Sequence, residues 1–381
     1  MDMEVSGSEE GVFPSPSTLQ SLSATFMAGD WWKRVHDAFW SEDAWLPEGV
    51  SWKDIDTSAS EIWYYPMLFS LVIMFLRYCI IQPFILVPIA NARLIPNKRT
   101  KAPIPNRALE DIYQQFQFDV PQSVLVKASK TMNMTVRQVE RWLRRRYNSV
   151  KLNTHDKFID CSFKLICHII FAIVGLSVTL PKPWLWDTTL CYKDFANQKI
   201  PFDIWFYHML ILAYYWAITV EELPKPGGRG SDKMQMILHH TLTILLTAFS
   251  YTAGHFRMGG LIIFVHEYSD IALLAAKTCH YAGYDGPTGM LFVTFVILWF
   301  LTRCFILPFW LMRSIFFEMP QSFNQISIKI QKGWMIILFL LTMYWTGLVI
   351  RTVVRKLTGK GLQDVRSAPE DTSDSENDKK D

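Results

Sequence analysis

Five ionisable side chains lie within two consecutive apolar runs in the second half of the chain. His239 and His240 are adjacent in the first run, and His266, Glu267 and Asp270 lie close together in the second. A charged group at the centre of a membrane-spanning helix costs about 2.5–3.5 kcal/mol on insertion scales. Because a chain rarely places such groups in apolar runs without a use for them, they indicate a catalytic or ligand-binding site.

The spacing of these residues suits acid–base chemistry. Adjacent residues on a helix point about 100° apart, so one of the paired histidines can face a cavity while the other contacts a neighbouring helix. Asp270 shares a helix face with His266, four residues before it, and with Glu267, three residues before it. A carboxylate beside an imidazole fixes its tautomer and raises its basicity, which suits a general base or a nucleophile. Only a few residues separate the two runs, so we expect an antiparallel hairpin.

Two other uses of these residues compete with catalysis. A single buried histidine is commonly a structural residue, but that interpretation must here cover two histidines and three further ionisable groups. Two histidines and two carboxylates could also bind zinc or non-haem iron. Membrane di-iron enzymes draw on several HxxHH sequences, and none occurs among the nine histidines of this chain. We therefore expect a site without a metal.

The elements that must position these residues are membrane-spanning helices. Of the 381 residues, 50% are hydrophobic and only 19% are charged, below the roughly 25% usual in soluble domains. A span needs about 20 predominantly apolar residues. The sequence predicts an all-α polytopic membrane protein with about seven transmembrane helices. The candidate spans are residues 62–89, 159–180, 202–220, 234–252, 257–276, 290–313 and 333–351.

The distribution of charge predicts the orientation of these spans. Residues 1–61 hold twelve Asp and Glu but only three Lys and Arg, whereas the loops at 91–158 and 221–233 are rich in Lys and Arg. Cytoplasmic loops are enriched in Lys and Arg. Residues 1–61 are therefore expected to be a lumenal N-terminal segment, and residues 352–381 a cytosolic acidic tail.

The composition of the acidic tail is typical of a disordered segment. Ser367, Ser373 and Ser375 each have an acidic residue three positions later, a pattern that acidophilic kinases favour. They are candidate phosphorylation sites, and a tail that only keeps the protein soluble is the alternative.

Residues 91–150 are expected to form a small helical insert on the cytosolic side. RALEDIYQQF is amphipathic, and TVRQVERWLRRRYN has the pattern of a second helix with Thr135 as its N-cap. The basic residues 144–146 could face anionic lipid headgroups.

Two stretches around the candidate site resemble a known family. HHTLTILLTAFSY, followed by RMGGLIIFVHEYSDIALLAAK, resembles the Lag1 motif within the TRAM-LAG-CLN8 (TLC) domain of the ceramide synthases. WLPEGVSW, PNKRTKAPIPN, QVERWLRRRYN, PWLWDTTLCY and LPFWLMRSIFFE also resemble segments of animal ceramide synthases, in the same order and at similar spacing. The resemblance covers about residues 40–360, and it implies a catalytic TLC domain over residues 159–351 and a homeobox-like insert before it.

The resemblance implies an N-acyltransferase of the endoplasmic reticulum membrane. Family members transfer a fatty acyl group from acyl-CoA to the amino group of a sphingoid base such as sphinganine, giving dihydroceramide and free CoA. No cofactor is implied, because acyl-CoA is a co-substrate. The implied fold is a bundle of six helices around an elongated cavity, preceded by one further helix. The implied partners are acyl-CoA, the sphingoid base and the lipid bilayer, and a homo- or hetero-dimer with related synthases is left open.

The resemblance also assigns roles to the site residues. His239 and His240 would act as base or nucleophile, and His266, Glu267 and Asp270 would orient them and hold the amino group. Direct attack by the amine on the thioester and a two-step route through an acyl-histidine both fit these residues. The family usually has Asp where this chain has Glu267, so the carboxylate at this position is longer by one methylene.

Acyl-CoA has a polyanionic end that must stay in the cytosol. Lys225, Arg229 and Lys233 could bind it, although basic residues in such a loop also serve as topology signals. In the insert, Arg145 stands where homeodomains place the Asn that reads adenine, so sequence-specific DNA binding is not expected. A catalytically silent TLC protein that binds or senses lipid is the alternative function.

Overall fold

The structure is a computed structural model that describes residues 29–116, 120–223, 230–320, 322–323 and 325–358. Every regular element within these ranges is helical, which confirms the predicted all-α class. The helices are α1 (Gly29–Phe39), α2 (Glu42–Trp45), α3 (Ala59–Phe75), α4 (Arg107–Phe116), α5 (Gln122–Thr131), α6 (Val136–Val150), α7 (Thr154–Thr179), α8 (Phe202–Glu222), α9 (Gly230–Thr252), α10 (Phe256–Tyr281), α11 (Asp285–Trp299) and α12 (Ile326–Leu357).

Two of the long helices continue through π-helical segments. α3 runs on through Leu76–Leu86 and a final stretch at Val87–Ala92, and α11 runs on through Phe300–Met312 and Ser314–Glu318. The two longer π-helical segments each contain a proline. Proline has no N–H and clashes with the carbonyl one turn earlier, so the helix widens there.

Five helical stretches of the described chain are long and apolar enough to cross a membrane, as expected of a multi-pass membrane protein. They are Ser60–Ala92, Val136–Thr179, Phe256–Tyr281, Asp285–Glu318 and Ile326–Leu357. α8 and α9, with 21 and 23 residues, reach the length of a span but are not among these five. The number of seven transmembrane helices therefore stays a prediction.

α8 lies inside the helical bundle. It contacts α3, α7, α9 and α10, and most of its side chains are buried. Its buried residues include the polar aromatic side chains of Tyr207, His208, Tyr214 and Tyr215. Such side chains are tolerated in a membrane protein when they face the bundle interior rather than lipid. A central helix can thus cross the bundle without being uniformly apolar.

The hairpin predicted for the two apolar runs is present as α9 and α10. Residues 253–255 join the two helices, which pack against each other. A Cβ added at Gly259 on α10 would lie 2.3 Å from Ser250 Oγ on α9. Glycine is therefore required for this close approach, which fixes the spacing of the two helices that carry the predicted site.

A buried ion-pair network joins the extension of α3 to α7 and α8. Arg77, 4% exposed, donates to Asp160 at 2.8 Å and also to Glu221. Tyr78 donates to the other carboxylate oxygen of Glu221 at 3.1 Å, and Lys164 pairs with Asp160 at 2.8 Å. The four charges balance, as buried charges must if they are to be tolerated.

The segment between α3 and α7 forms a small cluster of three helices, α4 to α6. Leu109, Val139 and Leu143 are buried in its core. The Thr135 hydroxyl accepts from the backbone N–H of Gln138 at 3.2 Å, and the Gln138 side chain accepts from the backbone N–H of Thr135 at 2.8 Å. The predicted N-cap of α6 is therefore confirmed, and it takes the reciprocal form of a capping box.

One of the basic side chains of α6 is bound within this cluster. Arg146 donates to both oxygens of Glu110, at 2.8 and 2.9 Å, and its guanidinium carbon lies 5.1 Å from the centre of the Tyr113 ring. The hydrogen bonds from Arg146 hold the pKa of Glu110 below its usual value. Arg146 is thus less available to lipid phosphate than the sequence suggests. The segment boundaries expected from the sequence stay predictions.

Candidate functional site

A cavity lies between α8, α9, α10, the extension of α11 and α12. It is elongated, because on α9 it extends from His239 to Ser250, which at 1.5 Å per residue is about 16 Å. Its wall is mostly apolar and includes Leu246, Met258, Ile262, Ile263, Met335 and Leu338. A largely apolar wall with a few polar groups is typical of a site for an apolar ligand.

Three of the five predicted site residues lie in the wall of this cavity. His239 comes from α9, and His266 and Glu267 come from α10. His240 and Asp270 are outside the wall. The ring of His240 lies beside that of His239, which is a wall residue. Asp270 accepts a hydrogen bond from Arg303, which is also a wall residue. The hairpin therefore brings the two sequence clusters to one cavity.

The adjacent histidines have different surroundings. The ring of His239 lies 5.1 Å from that of Trp345 on α12 and 5.9 Å from that of His240, measured between centroids. His240 is 5% exposed, and its ring centroid is 5.8 Å from that of Tyr215 on α8. His239 is thus the member of the pair that meets the cavity, while His240 packs against α8.

The imidazole of His266 has a defined tautomer. Its Nδ1 lies 2.7 Å from the backbone carbonyl oxygen of Ile262. Because a carbonyl only accepts, Nδ1 carries the hydrogen, and the neutral ring then has its lone pair on Nε2. Nε2 is buried and has no hydrogen-bond partner among the described residues. His266 therefore offers a proton acceptor within the cavity wall.

Asp270 is bound to a buried arginine on the extension of α11. Arg303 is 2% exposed and donates from one nitrogen both to Asp270, at 3.0 Å, and to the backbone carbonyl of His266, at 3.0 Å. The guanidinium carbon lies 5.1 Å from the centre of the Trp299 ring. Since Arg303 also lines the cavity, the pair places a compensated positive group in the wall.

Glu267 is bound to a histidine on a different helix. His168 on α7 has its Nδ1 2.6 Å from Glu267 Oε2, and its Nε2 lies 3.2 Å from the hydroxyl of Tyr214 on α8. His168 and Glu267 are 6% and 2% exposed. The three side chains form a buried chain of hydrogen bonds that ends at the cavity.

His168 and Arg303 are site residues that the sequence interpretation missed. Each is a single ionisable residue within an apolar run that was assigned as a span, at 159–180 and 290–313. The free-energy cost of an ionisable group in a membrane span, which drew attention to the paired histidines, applies equally to these two residues. The side chains that they bond to lie on other helices. The sequence therefore indicates that burying these residues costs free energy, but it does not indicate their contacts.

His255 lies at the end of the cavity away from His239, in the loop between α9 and α10. Its ring centroid is 5.0 Å from that of Phe195 and 5.4 Å from that of Phe323. Burial, with a smaller effect from nearby Lys332, lowers the pKa of His255 to about 4. The imidazole is therefore neutral at pH 7.

The structure describes only one of the predicted CoA contacts and none of the predicted phosphorylation sites. Lys233, in the second turn of α9, donates to the backbone carbonyl of Leu223 at 2.8 Å. The remaining predicted CoA contacts and phosphorylation sites lie outside the described residues; they are Lys225, Arg229, Ser367, Ser373 and Ser375. Within the described ranges, no group of three or more His, Cys, Asp or Glu side chains is placed to hold a metal ion.

Comparison with known proteins gives one consistent family. The TLC domain family matches residues 157–351, which take in the helices around the cavity. The chain is 29% identical to ceramide synthase 3 of Mus musculus over 341 residues, covering 86% of this chain and 87% of that protein. It is 30% identical to ceramide synthase 5 of Homo sapiens over 348 residues, covering 88% of each. Because the similarity runs through the cavity helices and on across most of the chain, the protein belongs to the ceramide synthase family.

Proposed function

We propose that this protein transfers a fatty acyl group from acyl-CoA to the amino group of a sphingoid base, such as sphinganine, giving dihydroceramide and free CoA. One observation carries the proposal: His239, His266 and Glu267 line a single apolar cavity in a member of the ceramide synthase family. The apolar wall suits long hydrocarbon chains, and the ionisable groups suit proton transfer. The proposed location is the endoplasmic reticulum membrane, with the N-terminus lumenal and the C-terminus cytosolic.

The transfer requires a neutral amine beside a polarised thioester. The ammonium group of the sphingoid base loses a proton to an imidazole, and the nitrogen lone pair then attacks the thioester carbonyl carbon. As the C–S bond breaks, the attacking nitrogen loses a second proton and becomes the amide N–H. One of the two protons released by the nitrogen passes to the CoA thiolate, and the other leaves to solvent. His239 is the first candidate for the base, with His240 behind it, and the acceptor Nε2 of His266 lines the same cavity.

A two-step route uses the same groups. The imidazole of His239 attacks the thioester, CoA leaves as the thiol, and the amine then displaces the imidazole from the acyl carbon. The routes differ in whether an acylated protein forms when the sphingoid base is absent. Incubation with acyl-CoA alone, followed by mass measurement of the intact protein, separates them.

Arg303 is suited to stabilise the oxyanion that forms when the thioester carbonyl is attacked. Its Nε–H is buried without a hydrogen-bond partner among the described residues, so this donor can bind a group of the substrate. Asp270 holds the group in place at 3.0 Å. Preorganised donors of this kind act strongly in a site from which water is excluded.

The CoA moiety is proposed to stay outside the membrane near the start of α9. Lys233 lies six residues before His239, about 9 Å along the helix. Lys225 and Arg229, in the basic sequence segment 221–233, are the further candidates for phosphate contact. Combined replacement of the three basic residues by Gln should raise the KM for acyl-CoA and leave the KM for sphinganine unchanged.

The direct test is an assay of purified protein in detergent. Wild-type protein with sphinganine and a series of fatty acyl-CoA lengths should give dihydroceramide, detected by lipid mass spectrometry. His239→Ala should lose the activity while keeping the unfolding temperature within a few degrees of wild type, because His239 lies in the cavity wall rather than in the packed core. Full activity in both His239→Ala and His240→Ala would sink the assignment.

The alternative function is binding or sensing of lipid without catalysis. In that case the purified protein would bind sphinganine or acyl-CoA, yet no dihydroceramide would form at any acyl length. The presence of the whole set His239, His240, His266 and Asp270, which the resemblance to the ceramide synthases assigns to catalysis, favours the enzyme.

A further inference from the structure

His168 is a buried imidazole that the proposed reaction does not use. It lies on α7, outside the cavity wall, and its two ring nitrogens are bonded to Glu267 at 2.6 Å and to the Tyr214 hydroxyl at 3.2 Å. A carboxylate oxygen accepts, so Nδ1 donates to Glu267, and in the neutral ring the Tyr214 hydroxyl then donates to Nε2. The bonds run in one direction, from α8 through α7 to the carboxylate on α10.

The length of Glu267 makes this contact possible. Shortening the side chain by one methylene would withdraw the carboxylate by about 1.5 Å, the length of a C–C bond. The gap to His168 Nδ1 would then approach about 4 Å, beyond the range of a hydrogen bond. Glu at position 267 is thus long enough to reach His168 on α7, whereas Asp would not be.

The two carboxylates on α10, Glu267 and Asp270, differ in whether an oxygen is left to bind a ligand. Asp270 is paired with the permanently charged guanidinium of Arg303 at 3.0 Å and does not line the cavity. Glu267 lines the cavity and uses Oε2 for His168, and no described residue donates to its Oε1. A cationic ligand in the cavity would therefore meet Glu267 rather than Asp270.

We infer that His168 is a positioning residue for the sphingoid base: it holds Glu267 so that the free carboxylate oxygen receives the substrate's ammonium group. This inference rests on the proposed function, because it takes a long-chain amine as the ligand. It assigns no bond-making step to His168, which acts only through Glu267. A pair that served only to join α7 to α10 would affect stability and both substrates alike.

The test compares three variants by sphinganine binding and by steady-state kinetics. His168→Phe removes the donor to Glu267, and His168→Asn returns a neutral donor near the position of Nδ1. His155→Phe is the matched control, because His155 is another buried histidine of α7, 5% exposed, without a hydrogen-bond partner among the described residues and outside the cavity.

His168→Phe should weaken sphinganine binding and raise the sphinganine KM by roughly tenfold or more, the usual effect of losing one hydrogen bond to a charged group. The KM for acyl-CoA should stay within about twofold, and His168→Asn should recover most of the loss. His155→Phe should leave both KM values at the wild-type level. If His168→Phe does not fold, Tyr214→Phe removes only the hydroxyl and should raise the sphinganine KM by a smaller factor.

Two results would overturn the inference. One is sphinganine affinity in folded His168→Phe equal to that of wild type. The other is an equal rise of both KM values that His168→Asn does not reverse, which is the result expected of a structural pair. Wild-type protein that binds sphinganine but forms no dihydroceramide would contradict the proposed function alone, since the binding comparison still tests His168.

Discussion

Replacing Arg77 by Leu is expected to destabilise the protein strongly, because Arg77 bridges the buried carboxylate of Glu221 and the partly buried one of Asp160. The side chains of Arg77 and Glu221 are only 5% and 4% exposed. In the variant, Asp160 keeps Lys164 at 2.8 Å, whereas the only described side chain still bonded to Glu221 is Tyr78, at 3.1 Å. Removing one member of a buried ion pair costs about 3–5 kcal/mol, since it leaves the other charge uncompensated.

The double variant Arg77→Leu/Glu221→Leu separates the charge effect from the packing effect. Replacing both members of a buried pair by apolar residues is often neutral, so the double variant should recover most of the loss. The coupling between the two sites should then reach about 3 kcal/mol, well above the few tenths expected of independent sites. Denaturant-induced unfolding in mixed micelles, followed by tryptophan fluorescence, gives the three free energies.

An exposed ion pair in the same part of the chain is the control. Arg99 lies 3.2 Å from Asp156 and its side chain is 75% exposed. Exposed pairs contribute about 0–1 kcal/mol, so Arg99→Leu should lower the stability by no more than that amount. If Arg77→Leu costs no more than Arg99→Leu, or if the losses of Arg77→Leu and Glu221→Leu simply add, buried charge does not govern the stability of this network.

Two further predictions concern the hairpin of α9 and α10. His255→Phe should reduce the loss of stability between pH 6.5 and 4, where the unfolded histidine takes up a proton and the folded one, with its pKa lowered to about 4 by burial, does not. Melting temperature against pH measures this, and equal slopes for variant and wild type would contradict it. Gly259→Ala should destabilise by about 1–3 kcal/mol, because the added Cβ lies 2.3 Å from Ser250 Oγ. Adding Ser250→Gly should recover part of that loss, and a further loss in the double variant would contradict the clash.

The sequence was sufficient to predict the elements that carry the site. The length of the apolar runs predicted the helices, and the short link of only a few residues predicted the hairpin that brings His239 and His266 to one cavity. The adjacency of His239 and His240 predicted that the two rings would have different surroundings. These features follow from helix geometry alone, which depends on spacing and not on neighbours.

The partners of the site residues could not be predicted in the same way. Glu267 and Asp270 are three positions apart and were placed on one helix face, yet they bond to different helices. Positions three apart on a helix still differ by about 60° in direction, which is enough to point one side chain at α7 and the other at α11. Which helix stands in each direction depends on the packing of the whole bundle, and no local pattern carries that information.

The cost of burying ionisable groups indicates function less directly than the partners of those groups do. Arg77, His168 and Arg303 all lie in apolar runs, and each is bonded to a carboxylate on another helix. Such pairs offset most of the free-energy cost of burying a single charge, and they fix the relative positions of the helices. His266 differs from Arg77 because it lines the cavity, and its Nε2 has no partner among the described residues. An unmatched acceptor beside an apolar cavity must be satisfied by water or by a ligand, and for this reason chemistry is expected at His266 and its neighbours rather than at Arg77.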